Sequence, residues 1–366
     1  MGWLDVVSYI TDLLVEAIGN RASDIHIEPQ ADCLRIRQRI DGFLIQTDEI
    51  PLEFTSAVLS RIKIMGHLDI GERRIPQDGA MTLTQEGVHY DVRISTLPTL
   101  HGEKIVLRMF RNQFEPITLD QLGIEQEECE QLERLIRQES GLLIVTGPTG
   151  SGKTTTLYAI LQRLNHEHLN IVTLEDPIEL QIPGVNQVQI HPKAGLTFST
   201  GLRAVLRQDP NVIMIGEIRD SETAEIAIGA ALTGHLVLST LHTADCASAV
   251  MRLLDMKMEP YRVAAALRGV IAQRLIRLKC IHCLGQKCVH CQHTGYLGRT
   301  GVFEMVVTCE QFQQLIMETA SLASMRQLFR KQGISSLREA ALKKVHQGIT
   351  NMEEYYRVVD YVEELE

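Results

Sequence analysis

The sequence lacks the features that would assign it to an integral membrane, a secreted or a nucleic-acid-coating protein. No run of about 18 uninterrupted apolar residues occurs, so no membrane-spanning helix is expected. The first segment has no basic cluster and carries Asp5, Asp12 and Glu16, which is unlike a signal peptide. The formal net charge of −10 weighs against binding along nucleic-acid phosphates, although a local basic patch is compatible with it.

Cysteine is scarce outside one short segment. Four of the eight cysteines are scattered along the chain, and without a secretory signal we expect no disulfides and a cytoplasmic location. The other four form two C-x-x-C pairs in "CIHCLGQKCVHC", the cysteine loop 280–291. Four thiolates can complete a tetrahedral Zn²⁺ site, whereas the alternative is reduced, unligated surface thiols. The expected zinc ligands are Cys280, Cys283, Cys288 and Cys291.

The first 110 residues have the pattern of a small α+β domain. An amphipathic helix is predicted up to residues 19–20, followed by a hairpin in "CLRIRQRIDGFLIQTDEI" with Asp41-Gly42 at its turn. A helix at 52–65 and strand-like segments follow, at 80–84, 88–96 and 104–110. The polar segment 111–123 contains a proline and is predicted to be a linker.

From residue 124 to 366 the pattern is that of a second, larger domain. Apolar strands are predicted in "GLLIVTG", "NIVTLE", "NVIMIGE" and "HLVLSTLH", with helices between them. Alternation of strand and helix indicates a mainly parallel, doubly wound sheet. After residue 255 we expect helices, interrupted by the cysteine loop 280–291. No internal repeat or low-complexity tract is present.

A phosphate-binding loop is predicted in "GPTGSGKT" (147–154), which fits G-x-x-x-x-G-K-[ST] between an apolar strand and a helix. Its glycines let successive backbone N–H groups converge on phosphate oxygens. Lys153 should reach the β- and γ-phosphates of ATP, and Thr154 should bind Mg²⁺. The predicted nucleotide-binding residues of this loop are Gly147, Pro148, Thr149, Gly150, Ser151, Gly152, Lys153, Thr154 and Thr155.

Acidic residues follow two of the predicted strands. Glu217 ends "NVIMIGE", where a carboxylate would act on Mg²⁺ through water, and "TLEDPIE" supplies Glu175, Asp176 and Glu179. Such carboxylates can orient or deprotonate the attacking water. His242 ends the next strand and either senses the γ-phosphate or is a structural histidine.

Four segments together resemble the secretion ATPase family, which drives type II secretion, type IV pilus assembly and DNA-uptake pseudopili. "GPTGSGKTTTLY", "TLEDPIE", "GLRAVLRQDPNVIMIGEIRD" and "TGHLVLSTLHT" resemble its Walker A, Asp, Walker B and His boxes, in the family's order. "ASDIHIEP", "ERRIPQDGA" and "DVRISTLPTLHGEKIVLRMF" extend the resemblance over nearly the whole chain. The implied fold class is α/β: a P-loop RecA-like ATPase domain with a mainly parallel sheet, preceded by the α+β domain and followed by helices with the zinc-type cysteine loop.

The resemblance implies a homohexameric motor, peripheral at the inner face of the cell membrane. Its partners would be a polytopic membrane platform protein and, indirectly, pseudopilins, with no direct nucleic-acid binding. Glu179 matches the family's catalytic glutamate and Glu217 its Walker B glutamate. Arginines that match those of the family's nucleotide site are Arg93, Arg108, Arg203 and Arg207.

Three departures from the family pattern are visible. Large members carry an extra N-terminal domain, whereas "SDIH" appears here at residue 23, as in the competence pseudopilus ATPases of Gram-positive bacteria. The two C-x-x-C pairs are separated by only "LGQK", a shorter insertion than is usual. Ala80 stands after "PQDG", where the family commonly has arginine. Retraction motors typically lack the cysteine loop, so its presence favours an assembly motor.

The expected function is therefore a hexameric ATPase that powers assembly of a competence pseudopilus for DNA uptake. The alternative within the class is a motor for another type IV pilus or for type II secretion. A zinc-containing DNA-binding ATPase or translocase is the alternative from another class, and the acidic charge and the lack of a basic-aromatic stripe disfavour it. A nucleotide-gated scaffold with weak turnover is the third.

Overall fold

The computed structural model describes residues 5–111 and 117–359. The chain divides into two compact units, Met1–Phe114 and Glu115–Glu366. Of the predicted linker 111–123, residues 112–116 lie outside the described part. The remainder contains a short 3-10 helix, Leu119–Leu122, whose two leucines are buried. That end of the predicted linker is therefore folded onto unit 2.

Unit 1 is an antiparallel sheet with two helices. Its elements are α1 (Val6–Gly19), β1 (Asp24–Pro29), β2 (Cys33–Ile40), β3 (Phe43–Pro51), α2 (Thr55–Met65), β4 (Gln77–Gln85), β5 (Val88–Thr99) and β6 (Gly102–Arg111). The strand order is β3-β2-β1-β6-β5-β4, and all neighbours are antiparallel. The predicted hairpin is present, with Ile40 opposite Phe43 across the Asp41-Gly42 turn. The predicted helix at 52–65 begins with a 3-10 turn, Leu52–Phe54, before α2.

Alternation of side chains builds the core of unit 1. Val92 and Ile94 of β5 and Ile105 and Leu107 of β6 are buried, because residues two apart on a strand face the same side. The opposite face of these strands carries mainly polar and charged side chains, together with Leu97, Val106 and Phe110. One face of the sheet therefore packs against the apolar stripes of α1 and α2, as an α+β unit requires.

Unit 2 is a seven-stranded sheet with helices. Its first elements are α3 (Gln126–Ile136), β7 (Gly141–Thr146), α4 (Lys153–Leu164), β8 (Ile171–Glu175), β9 (Asn186–Gln189), α5 (Phe198–Val205), β10 (Val212–Ile215), α6 (Ser221–Leu232), β11 (Leu236–Leu241) and α7 (Cys246–Asp255). The remaining ones are α8 (Pro260–Ala266), β12 (Leu267–Lys279), β13 (Tyr296–Val307), α9 (Glu310–Met317), α10 (Leu322–Lys331), α11 (Leu337–His346) and α12 (Met352–Val359). The strand order is β13-β12-β7-β11-β10-β8-β9, and only β13 runs antiparallel to its neighbour. The predicted mainly parallel sheet is confirmed.

Both ends of α6 follow from the local sequence. Asp220 is the N-cap of α6, because its carboxylate accepts the N–H of Thr223 at 2.8 Å. Gly234, with φ of 107°, follows the C-terminal end of the same helix in the left-handed region.

No helix in residues 5–111 or 117–359 has the length and apolar character needed to cross a bilayer.

The prediction of helices after residue 255 is wrong for two long segments. Residues 267–279 and 296–307 form β12 and β13, an antiparallel hairpin in which β12 also pairs with β7. β12 lies inside the sheet and is buried along most of its length. Its apolar residues happen to fall at helical spacing as well, at Leu267, Val270, Ile271 and Leu275. A strand buried on both faces has no two-residue alternation, so periodicity could not distinguish it from a helix.

Candidate functional site

Four parallel strands bring their carboxyl ends to one edge of the sheet in unit 2. The loops that follow β7, β8, β10 and β11 meet there around a cleft of about 360 Å³. The crevice outside the carboxyl ends of such strands is where ligands bind in open α/β sheets. Sequence-predicted residues that line the cleft are 149–155, Glu175, Asp176, Glu179, Glu217 and His242.

The loop 147–152 has the curled backbone expected of a phosphate cradle. Gly147, Gly150 and Gly152 have φ values of 156°, 77° and 88°, a region that glycine adopts with little strain. At Gly147 a Cβ atom would also come within 2.5 Å of the carbonyl oxygen of Gln273. The helix α4 then begins at Lys153, so its N-terminal N–H groups face the cleft.

Lys153 lies within this loop. Its ammonium donates hydrogen bonds to the carbonyl oxygens of Gly147 and Pro148, at 2.8 and 3.0 Å. Burial, together with the repulsion from Arg274, lowers the pKa of Lys153 to about 8, although the charge of Glu217 opposes this shift. The group is therefore protonated at pH 7 and close to titration just above it.

Glu217 and His242 form a polar pair in the same cleft. One carboxylate oxygen of Glu217 accepts a hydrogen bond from Arg219, and the other lies 3.4 Å from Nε2 of His242. Burial opposes ionisation of Glu217, but Arg219 and His242 outweigh it and lower the pKa of the carboxyl group. Burial and the charge of Lys153 lower the pKa of His242, so the imidazole is neutral at pH 7.

The three carboxylates of "TLEDPIE" line the same cleft but have different surroundings. Glu175 is only 3% exposed and accepts hydrogen bonds from Tyr158, from Thr173 at 2.5 Å and from Gln187 at 3.0 Å. Glu179 lies at the cleft surface, and its backbone N–H donates to the Tyr158 hydroxyl at 3.3 Å. The expected cluster is therefore present, and both carboxylate oxygens of Glu175 accept hydrogen bonds.

Arg203 and Arg207 do not line this cleft in the described part of unit 2. Arg203 donates to Glu222 at the start of α6, at 2.6 Å, and Arg207 donates to the backbone carbonyl of Arg203 at 2.7 Å. Both are reached by solvent. Their ion pair and hydrogen bond are intrachain surface contacts.

Arg93 and Arg108 belong to unit 1, where they form a cross-strand pair. They are directly opposite each other on β5 and β6, so both side chains leave the same face of the sheet. Arg93 lies over the ring of Phe110, with 5.0 Å between its guanidinium carbon and the ring centroid. Arg108 donates to the carboxylate of Asp24 at 2.8 Å. The spacing of the two residues in the sequence did not reveal this pairing.

The structure adds residues to the site that the sequence patterns did not single out. Arg299, on β13, lines the cleft, and Arg219 is bound to Glu217. Tyr158 lies in the helix after the phosphate loop and contacts the segment that holds Glu179. Arg299 could have been found only by recognising β13 as a strand. Tyr158 falls within the segment "GPTGSGKTTTLY", but its hydrogen-bond partners, Glu175 and Glu179, are distant in the sequence.

The cysteine loop 280–291 closes the end of the β12–β13 hairpin. Its four Sγ atoms lie within 4.8 Å of one another, and three of the pairs are 3.8 Å apart. A tetrahedron with thiolates about 2.3 Å from a central zinc has edges of about 3.8 Å, so the donor set fits Zn²⁺. Burial opposes ionisation of Cys291, but the N–H groups of Cys288 and Gly295 donate to its Sγ at 3.2 Å and lower its pKa to about 6.

Curated proteins with similar sequences belong to secretion and pilus machines. The type II secretion system protein HxcR of Pseudomonas aeruginosa is 46% identical over 361 residues, covering 96% of this chain and 77% of that protein. The type II secretion system ATPase E of Vibrio cholerae is 44% identical, covering 96% of this chain and 75% of that protein. The type IV pilus assembly ATPase PilB of Thermus thermophilus is 42% identical, covering 94% of this chain and 42% of that protein.

Solved structures of a pilus retraction motor and of an ATPase share the fold. The pilus retraction motor PilT with bound ADP is 27% identical, with a TM-score of 0.67 and coverage of 95% of this chain and 96% of that chain. The DotB ATPase of Legionella pneumophila gives a TM-score of 0.75 at 22% identity, with coverage of 96% and 95% of the two chains. The family described as type II/IV secretion system protein matches residues 4–357. The chain is thus a member of the type II/IV secretion system protein family, and an ATPase.

Proposed function

We propose that this chain is the motor ATPase of a pilus-like assembly or secretion machine and hydrolyses ATP to ADP and phosphate. The observation that carries the proposal is the cleft in which the phosphate loop meets Glu179, Glu217 and His242. The relatives named as a type II secretion system protein, a type II secretion system ATPase and a type IV pilus assembly ATPase, at 42–46% identity, support the same class of machine.

Different residues of the cleft contribute to different parts of phosphoryl transfer. Backbone N–H groups of residues 149–155 hold the phosphates, and the Lys153 ammonium neutralises charge on the β- and γ-phosphates. Thr154 would hold the Mg²⁺ that accompanies ATP, with Glu217 acting on it through water; the metal offsets phosphate charge. Glu179 takes the proton of the attacking water. The neutral imidazole of His242 has a single N–H, which would turn from the neighbouring Glu217 carboxylate to the γ-phosphate when ATP is bound.

Arginines complete the proposed site in a homohexameric ring. Arg93 and Arg108 leave one face of unit 1 as a pair and are suited to neutralise phosphate charge, as guanidinium groups do in phosphoryl transfer. Arg203 and Arg207 lie on the surface of unit 2 outside the cleft, and they are included because they match arginines of the family's nucleotide site. In this proposal, ATP binding and hydrolysis alternately engage and release unit 1, and the movement drives the machine.

The machine that we propose is the one that assembles a competence pseudopilus for DNA uptake. A type II secretion system or another type IV pilus is the alternative. The cysteine loop supports an assembly motor, and deletion of the gene distinguishes the competence machine from the two alternatives. The motor would act in the cytoplasm, at the inner face of the cell membrane. There it would push on a polytopic platform protein and, through it, on pseudopilins.

A structural Zn²⁺ in the cysteine loop is also part of the proposal. The 3.8 Å separations between the Sγ atoms and the amide hydrogen bonds to Cys291 support it. Cys280, Cys283, Cys288 and Cys291 would hold the ion. With four thiolate ligands the site is closed, so the metal braces the hairpin and leaves no open position for substrate.

Substitution of Glu179 should separate hydrolysis from nucleotide binding. Glu179→Gln keeps the shape of the side chain but cannot accept the proton, so turnover should fall by about 10²- to 10⁴-fold while ATP remains bound. Lys153→Ala should lose both activity and ATP affinity, because phosphate charge is no longer neutralised. Steady-state hydrolysis and a filter-binding assay with labelled ATP measure both effects. Wild-type turnover by Glu179→Gln would refute its assignment as the base.

The lowered pKa of Lys153 predicts that ATP affinity depends on pH. Below about pH 8 the ammonium is already protonated in the free protein, and ATP should bind with constant affinity. Above that pH the neutral amine must take up a proton on binding, so the Kd should rise and approach about tenfold per pH unit. Lys153→Arg stays charged throughout this range and should show a flat profile. Equal slopes for the two proteins, measured with a fluorescent ATP analogue, would exclude Lys153 as the titrating group.

Removal of one loop thiol should release the metal but leave the nucleotide site able to bind ATP. Protein purified without added metal should contain about one zinc per chain. Cys283→Ser or Cys288→Ser should lose it and accelerate hydrogen exchange in residues 280–295, while ATP binding persists. Cys309→Ser, which removes a thiol outside the loop, should keep the zinc. A metal-free wild-type protein with a protected loop would contradict a zinc brace.

Deletion of the gene should identify the machine. If the chain powers a competence pseudopilus, the deletion should abolish DNA uptake and leave protein secretion intact, and the wild-type gene but not Lys153→Ala should restore uptake. Transformation frequency and the secreted protein profile are the measurements. Loss of secretion with normal transformation would assign the chain to a type II system instead.

A further inference from the structure

Tyr158 joins the helix of the phosphate loop to the segment that carries Glu179. It lies one helical turn after Thr154 on α4, and its side chain is 5% exposed. Its hydroxyl donates to Oε2 of Glu175 and accepts the backbone N–H of Glu179, at 3.3 Å. A carboxylate can only accept, so the hydroxyl proton must point to Glu175, which leaves its lone pairs for the amide.

The carboxylate of Glu175 serves as an anchor, because three side chains of the surrounding chain donate hydrogen bonds to it. Oε2 accepts from Tyr158, while Oε1 accepts from the Thr173 hydroxyl at 2.5 Å and from the Gln187 side-chain amide at 3.0 Å. The residue is buried, so these three donors take the place of water. A carboxylate bound in this way is poorly placed to remove a proton from an attacking water.

Gln187 extends the anchor to the other end of the same segment. Its amide nitrogen donates to the carbonyl of Leu180 at 2.9 Å, and its oxygen accepts the N–H of Ile182 at 2.7 Å. The backbone around Glu179 is therefore attached to Glu175 by two routes, one through Tyr158 and one through Gln187. Of these two, only the Tyr158 route also includes the helix that begins with Lys153.

We propose that Tyr158 is a positioning residue, which together with Glu175 fixes Glu179 relative to the phosphate loop. The inference rests on the proposed ATPase function and assigns Glu175 to support of the base. Burial and then the charge of Glu175 raise the pKa of Tyr158, so its hydroxyl keeps the proton that the arrangement needs. A displaced base costs turnover, because catalysis depends on placement to within about 1 Å.

Tyr158→Phe tests the proposal, since it keeps the buried ring and removes only the hydroxyl. We expect kcat to fall by roughly 10- to 100-fold, with the Kd for ATP within about twofold of wild type. Tyr9→Phe is the matched control, because the Tyr9 hydroxyl also donates to a carboxylate, that of Asp48, at 2.7 Å in unit 1. The control should hydrolyse ATP at the wild-type rate.

A double variant distinguishes positioning from a general loss of structure. If Tyr158 acts through Glu179, then Tyr158→Phe should not slow Glu179→Gln any further, because the base is already absent. A further drop of the same size as in the wild-type background would mean that Tyr158 acts independently, and would overturn the proposal. Normal kcat for Tyr158→Phe would overturn it as well.

Glu175→Gln tests whether Glu175 holds the base in place or is itself the base. It also tests the proposal if Tyr158→Phe does not fold. The amide keeps one acceptor oxygen, so partial activity should remain, well above that of Glu179→Gln. Inactivity equal to that of Glu179→Gln, with ATP still bound, would make Glu175 the base and sink the inference. Failure of the wild-type protein to hydrolyse ATP would instead refute the proposed function.

Discussion

The parallel pairing of β8, β10, β11 and β7 is the constraint on which the candidate site depends. Each of these strands ends at the same edge of the sheet, so the polar loops that follow them are forced together. The strands themselves are buried and largely apolar, so most of the chemistry falls to the loops that follow them, with Glu175 as the last residue of β8. Reversing any one strand would move its loop to the opposite edge and dismantle the cleft. The phosphate loop, Glu179, Glu217 and His242 are neighbours for this reason.

Within that cleft, the surroundings of each charged group set its role. Lys153 is desolvated and its pKa is low, so phosphate charge is the partner it lacks in the free protein. Glu217 is held ionised by Arg219 and His242 despite partial burial. Glu175, from the same motif as Glu179, is occupied by three donors. Carboxylates that look equivalent in the sequence are thus divided by tertiary contacts.

Local signals explain how far the sequence could be interpreted. The glycine spacing of 147–152 and the apolar run of β7 are contiguous, so the phosphate loop could be placed without knowledge of the fold. The β12–β13 hairpin could not be predicted in this way, because β12 is buried on both faces and carries apolar residues at helical spacing. The contacts of Tyr158 with Glu175 and Glu179 span 17 and 21 positions, and no residue pattern encodes them.

The missed hairpin also explains how a cysteine loop can matter to a nucleotide site within the same unit. Gln273, in the middle of β12, accepts a hydrogen bond from Thr156 of α4 at 2.7 Å and lies under Gly147 and Gly152. Leu275 and Arg299, from the two strands, line the cleft itself. The cysteine loop joins the far ends of these strands. A metal that fixes the loop would therefore hold the ends of the same two strands that supply Leu275 and Arg299 to the cleft.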